Sequence, residues 1–240
     1  MRLFLLFLCC LTWRPAQAAE QIDVALVLVS DVSRSVDDAE YRLQKQGYRQ
    51  AFSSPRVIAA IQGGPTGAIA VAYVEFAGAS EVRTVIGWTV LRDASSIQNF
   101  ATLLEQAPRS FWGRTSISSA IDYARTMLDS VPFETQRKII DVAGDGTNNA
   151  GRDVGLARDD AIEAGITING LSIINEHPVS WTFAHVQPPG GLTEWYRQNV
   201  IGGPGAFVEE VHDFNVFGDA MTRKLLSEIA LLVHPVPKAG

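Results

Sequence analysis

The residues best equipped for chemistry stand together in Ser30-Asp31-Val32-Ser33-Arg34-Ser35, where one carboxylate and two hydroxyls alternate at positions 31, 33 and 35. They follow Ile22 to Val29 (IDVALVLV), a near-continuous apolar run of the kind that forms a central parallel strand buried on both faces. Ligands of open parallel sheets bind at the carboxyl ends of the strands. Three oxygen donors are therefore expected where a ligand would sit. Asp145, followed by Gly146 in AGDGTNN, stands at the end of a second apolar run, KIIDVA. Thr115, in WGRTSISSAI, stands at the start of an expected helix. Such oxygens are hard ligands, suited to Mg²⁺ or Mn²⁺ and not to zinc or copper. Magnesium takes roughly six oxygens in a near-octahedral array and keeps several waters. Three hydroxyls and two carboxylates from three loops would satisfy it and leave one position open.

Strand and helix periodicities alternate along the chain, the pattern of βα units around a mostly parallel sheet. Ile22–Val29, 68–76 (AIAVAYVEF), 138–143 and 166–174 (ITINGLSII) read as buried strands, and 82–90 (VRTVIGWTV) alternates as an edge strand does. Helices are expected from Asp37/Asp38 with an apolar stripe of Tyr41, Tyr48 and Phe52, over 94–107, over 116–128 and over 153–164, the last ended by Gly165. Residues 175–205 are irregular and rich in Gly and Pro, with a short helix at 193–198 and a sixth strand at 206–211 beyond it. The final helix carries Phe214, Phe217, Met221, Leu225, Ile229 and Leu232 as a packing stripe. The fold class expected is α/β: a doubly wound, mostly parallel Rossmann-like sheet with helices on both faces and one antiparallel edge strand.

With 47% hydrophobic and 19% charged residues over 240, the chain can bury a large core, which excludes wholesale disorder. Met1 and Arg2 precede the apolar run LFLLFLCCLTW, and Ala16-Gln17-Ala18 follows, the layout of a secretory signal peptide. The apolar run falls short of the ~20 residues that a bilayer-spanning helix needs. Cleavage after Ala18 is expected, leaving residues 19–240 as a single domain without a membrane span. That cut takes two of the 20 basic residues, Arg2 and Arg14, and none of the 26 acidic ones, so the formal charge moves from −6 to −8. It also takes both cysteines, which excludes disulfides, thiol nucleophiles and Cys-ligated zinc. An acidic chain with no basic run is a poor nucleic-acid binder. With no Asn-x-Ser/Thr sequon either, the expected location is the bacterial periplasm or exterior.

On these residues the chain resembles a von Willebrand factor type A domain, whose metal-ion-dependent adhesion site reads D-x-S-x-S, then a Thr, then an Asp before Gly. Asp31, Ser33 and Ser35 match the first part, Thr115 the second and Asp145 the third, in order, over about residues 21–233. It is most similar to a secreted bacterial branch of that family whose function is uncharacterised. The resemblance implies that Ser33, Ser35 and Thr115 ligate one divalent cation directly, Mg²⁺ foremost with Mn²⁺ or Ca²⁺ as substitutes. Asp31 and Asp145 would then act directly or through water. It also implies a binding module, not a catalyst, whose open metal position takes an Asp or Glu carboxylate from a protein partner. Arg34 and Arg114, beside the ligands in sequence, are candidates to clamp that carboxylate, or else are solvated loop residues. The family's usual hydroxyl-bearing residue before Asp145 is replaced by Ala143-Gly144.

The same residues admit a rival. GDGTNN is similar to the GDGxND motif of haloacid-dehalogenase-type phosphatases, which would make Asp31 a nucleophile and Asp145 a metal ligand. That chemistry needs a second Asp two residues on as acid/base, where Ser33 stands, and an Asp where Asn149 stands. No G-x-S-x-G elbow, H-E-x-x-H pair or P-loop is present. His177, His185, His212 and His234 lack ligand spacing and read as surface or loop residues. Trp88, Trp112, Trp181 and Trp195 read as packing residues, and Asp159, Asp160 and Glu163 as a solvated helix face. Asp141, inside KIIDVA, is expected either to support a neighbouring loop from a buried position or to face an edge.

Overall fold

A computed structural model describes residues 19–174 and 188–230. The expected leader, residues 175–187 with His177, Trp181 and His185, and residues 231–240 with Leu232 and His234 lie outside the described residues. The elements run β1 (Glu20–Gln21), β2 (Val24–Asp31), α1 (Asp38–Ser53), α2 (Pro55–Gln62), β3 (Ile69–Phe76), β4 (Val82–Leu91), α3 (Ala94–Gln106) and α4 (Ile117–Asp129). They continue with β5 (Phe133–Glu134), β6 (Lys138–Gly144), α5 (Val154–Glu163), β7 (Ile166–Ile173), α6 (Leu192–Asn199) and β8 (Val208–Val211). A 3₁₀ turn (Phe214–Val216) then leads into α7 (Phe217–Ala230).

Six strands form the main sheet in the order β4-β3-β2-β6-β7-β8, parallel throughout except for the antiparallel β3–β4 pair. The chain starts at the centre, winds outward through β3 and β4, then returns to β6 and winds the other way. The switch point therefore lies between β2 and β6. Every residue of β2 is buried, and its side chains alternate between two cores. Val24, Leu26 and Leu28 face α1, α2, α3 and α7, where they meet Tyr48, Phe52, Phe100, Phe217 and Leu225. Ala25, Val27 and Val29 face α4, α5 and α6, among Ile117, Ile121, Ala157 and Leu192. Burying one such aliphatic side chain contributes ~1.5–3 kcal/mol.

Asp37 caps α1 by accepting from the Ala39 and Glu40 amides, while the Glu40 carboxylate accepts from the Asp37 amide at 2.7 Å. Gly165, at φ +76°, ends α5 in the left-handed region. Two features had no clear sequence signal. One is α2, with Pro55 at its first turn; the other is the two-residue β1–β5 pair.

Asp141 requires a correction. It supports no loop: its register opposite Leu28 turns it to the α7 face, where it is fully buried 2.9 Å from Lys224 Nζ. Lys224 also pairs with Glu228 on its own helix, and Asn169 of β7 donates to Glu228 at 2.8 Å. One ammonium thus joins two buried carboxyls and ties α7 to the sheet. Burial, followed by the Glu228 charge, pushes the Asp141 carboxyl well above its ordinary range. Burial works against the Lys224 charge, but Asp141 and Glu228 outweigh it and hold its pKa above the ordinary lysine value.

Candidate metal centre

Strands β2 and β6 end level, with Ser30 opposite Ala143, so Asp31 and Asp145 flank the switch point from the two central strands. After Asp31 the chain turns back on itself: the Ser33 amide donates to Asp31 Oδ1 at 2.7 Å, an Asx-type turn. That turn brings the hydroxyls of Ser33 and Ser35 to 3.0 Å from each other. Thr115 Oγ1 donates to Ser33 Oγ at 3.1 Å, and Ser35 Oγ donates to Asp145 Oδ1 at 2.9 Å. All five sequence-predicted residues are buried and contiguous.

This donor set fits a small hard cation. Its oxygens are hard donors of the kind Mg²⁺ takes, and neighbouring ones stand 2.9–3.1 Å apart. The surroundings are also electronegative. Glu40 is pushed up to about 7, chiefly by burial and further by Asp37, Asp145 and Asp213, against the pull of the Asp37 amide. Among the described residues no group of three or more His, Cys, Asp or Glu side chains is placed to hold a metal ion.

Residues outside the predicted donor set hold the donors in place. Asn149 accepts from the Thr115 amide at 3.0 Å and returns its own amide to the Thr115 carbonyl at 2.9 Å. Asn148 accepts from the Ser118 amide at 3.0 Å, so both asparagines of GDGTNN fasten the Thr115 loop. Arg109, nearly buried, donates to the carbonyls of Val32 at 2.8 Å, Ser33 at 2.7 Å and Phe111 at 2.9 Å. A second brace comes from Glu75 on β3, which accepts from the Ser110 amide at 2.9 Å and pairs with buried Lys45 at 3.2 Å.

Arg34 and Arg114 are both exposed beside the site, with no carboxylate within 4 Å among the described residues, while the Arg34 amide donates to Gly113 O at 3.0 Å. Trp112 corrects the packing expectation: it is 60% exposed and lies over the Arg109 guanidinium at 4.9 Å. Trp88 and Trp195 do pack against the core. His212 is exposed and pairs with Glu210 at 2.8 Å. Two observations weigh against the phosphohydrolase arrangement. Ser33 joins Ser35 and Thr115 in a hydroxyl chain, and the Asn149 carbonyl is committed to Thr115.

The model of the family described as "Protein of unknown function (DUF1194)" matches residues 21–233. No curated protein matches the chain. Among solved structures, proximal thread matrix protein 1 from the mussel byssus is similar with a TM-score of 0.63 and 15% identity, over 89% of this chain and 49% of that one. A further structure of that mussel protein has a zinc-occupied metal-ion-dependent adhesion motif. The von Willebrand factor type A protein from Catenulispora acidiphila is similar at TM-score 0.57 and 15% identity, over 87% of this chain and 43% of that one. BatB from Bacteroides thetaiotaomicron is similar at TM-score 0.56 and 23% identity, over 86% and 98%. The chain spans about half the length of the mussel protein. The fold is that of von Willebrand factor type A domains, as the D-x-S-x-S, Thr and Asp-Gly residues implied.

Proposed function

We propose that this chain, which belongs to the DUF1194 family, is an exported, non-catalytic binding module that engages an acidic group of a protein partner through one divalent cation. Asp31, Ser33, Ser35, Thr115 and Asp145 would hold the ion, with Mg²⁺ favoured and Mn²⁺ or Ca²⁺ as substitutes. The observation that carries the reading is the unbroken chain of contacts from Thr115 through Ser33 and Ser35 to Asp145, with Asp31 gripping the Ser33 amide. When bound, the cation would supply a positive centre for an anionic oxygen. The protein's own part is orientation. Asp31 sets the Ser33 turn, Asn149 and Asn148 fix the Thr115 loop, and Arg109 ties the serine loop to the loop before α4. With Asp31 and Asp145 acting through water, the direct donors Ser33, Ser35 and Thr115 are neutral hydroxyls, so the ion keeps its charge for a partner carboxylate. Arg34 and Arg114 stand exposed on the rim, where a guanidinium can grip that carboxylate with two charge-assisted hydrogen bonds.

Support also comes from the solved relatives, which include the byssal matrix protein and a pilus adhesin, SpaC from Lactobacillus rhamnosus GG. The phosphohydrolase reading is weaker, because Ser33 offers no carboxyl to protonate a leaving group.

The test is fluorescence anisotropy of labelled peptides, each carrying one Asp or Glu, measured in Mg²⁺ and in EDTA. Binding is expected in Mg²⁺ only. It should be abolished in Asp31→Ala and weakened about tenfold in Arg114→Ala or Arg34→Ala, the loss of one charge-assisted contact. Binding that is equal in EDTA would refute the proposal.

A further inference from the structure

Tyr196 lies on the inner face of α6, fully buried, with its ring edge-on to Trp195 at 5.7 Å. Its hydroxyl has no hydrogen-bond partner among the described residues. A buried hydroxyl left that way lowers stability, and phenylalanine would fill the same space without the penalty. The hydroxyl also points somewhere specific. A Cβ added to Gly144 would stand 2.7 Å from Tyr196 Oη, 3.2 Å from Asp31 Cβ and 3.3 Å from Asp31 Oδ2. Tyr196 thus faces Asp31 across the bare backbone of Gly144, the position where a hydroxyl-bearing residue was expected. Any side chain at 144 would fill the space between a phenol and a carboxylate. Burial first, then the charges of Asp31 and Asp145, keep the phenol protonated, so it can only approach them as a donor.

We infer that Tyr196 is a positioning residue for the cation: its hydroxyl donates, through one water seated over Gly144, to the Asp31 carboxylate. The inference rests on the proposed cation site and gives α6 a role in it. Helix α6 begins just after the Gly/Pro-rich turn at 188–191 and is also anchored by Thr193, whose hydroxyl meets Ser172 of β7 at 2.8 Å. Because coupling between two events is reciprocal, an α6 that helps to hold the cation must itself be steadied when the cation binds.

The test compares the parent with Tyr196→Phe by calorimetric titration of Mn²⁺ and by hydrogen exchange of the α6 amides. The variant keeps the ring and its packing, so its melting temperature in EDTA should stay close to the parent's. Its Mn²⁺ dissociation constant should rise about tenfold, the usual effect of removing a group that orients a metal ligand. Mn²⁺ should slow exchange in α6 of the parent and do so far less in the variant. Equal affinities within twofold, or equal slowing of α6, would overturn the inference and leave the cation site intact. A parent that binds no Mn²⁺ would instead overturn the site itself.

Discussion

Lys224→Met removes the one ammonium that joins Asp141 to Glu228 inside the core, and its effect can be worked from the geometry. Methionine nearly matches the lysine stem in volume, so little cavity forms. The loss is electrostatic. Asp141, 2.9 Å from Lys224 Nζ, and Glu228 are both fully buried, and Asn169 remains as a neutral donor to Glu228. Removing one partner of a buried pair costs about 3–5 kcal/mol. For a domain of this size that corresponds to a drop of roughly 6–20 °C in melting temperature. The penalty must also depend on pH. In the parent the folded Asp141 carboxyl is raised from 3.8 to about 7. The folded state therefore holds the extra proton between those values. The stabilising contribution is complete below 3.8 and is lost as pH rises through about 7. Without Lys224 the buried Asp141 carboxyl depends still more on its proton, so the variant should lose most at pH 8 and least at pH 5. Urea unfolding of parent and variant at pH 5, 7 and 8, with EDTA throughout, measures this. A loss below about 1 kcal/mol at pH 8, or the same loss at pH 5 and pH 8, would refute the electrostatic account.

Three further outcomes are expected around the site. Asn149→Ala frees the Thr115 amide, at a cost of about 0.5–1.5 kcal/mol, and should weaken Mg²⁺ binding about tenfold in calorimetry. Arg109→Ala removes charged donors from three carbonyls and should lower stability by about 2–3 kcal/mol in urea melts, with faster hydrogen exchange at residues 33–36. Gln in place of Glu75 leaves Lys45 buried without its counter-charge and should destabilise the protein by about 3–5 kcal/mol at pH 7. Lys45 is already lowered to about 8, chiefly by burial and against the attraction of Glu75, so the Glu75→Gln loss should shrink as pH rises toward 9 and the amine sheds its proton.

The parts of this molecule that were legible in sequence are those written locally. The β2, β3, β6 and β7 runs are largely apolar, as strands of a sheet covered on both faces are, and Asp37 announces α1 by its capping chemistry. Asp31, Ser33, Ser35, Thr115 and Asp145 were visible because hydroxyls and carboxylates at strand ends have no packing purpose. The bracing residues were not visible. Arg109 acts on carbonyls 76 and 77 positions away, and Tyr196 comes to face Asp31 across Gly144 only in the closed fold. Asp141 was conspicuous as a charge inside a strand, but its partner on α7 lies far along the chain. The short helix α2 escaped because only Val57 and Ile61 mark its buried side. Trp112 misled because a large aromatic reads as core, whereas here it covers an arginine at the rim.

The central claim is that the hydroxyls and carboxylates at the switch point hold a divalent cation. Thermal unfolding of the chain lacking residues 1–18, first in EDTA and then in Mg²⁺, Mn²⁺ or Ca²⁺, beside Asp31→Ala, tests it most directly. An ion at ten times its dissociation constant adds about 1.4 kcal/mol, or roughly 3–6 °C. The expected result is that shift in the parent, with Mg²⁺ or Mn²⁺ at least as effective as Ca²⁺, and none in Asp31→Ala. No shift at millimolar ion, or an equal shift in Asp31→Ala, would contradict it.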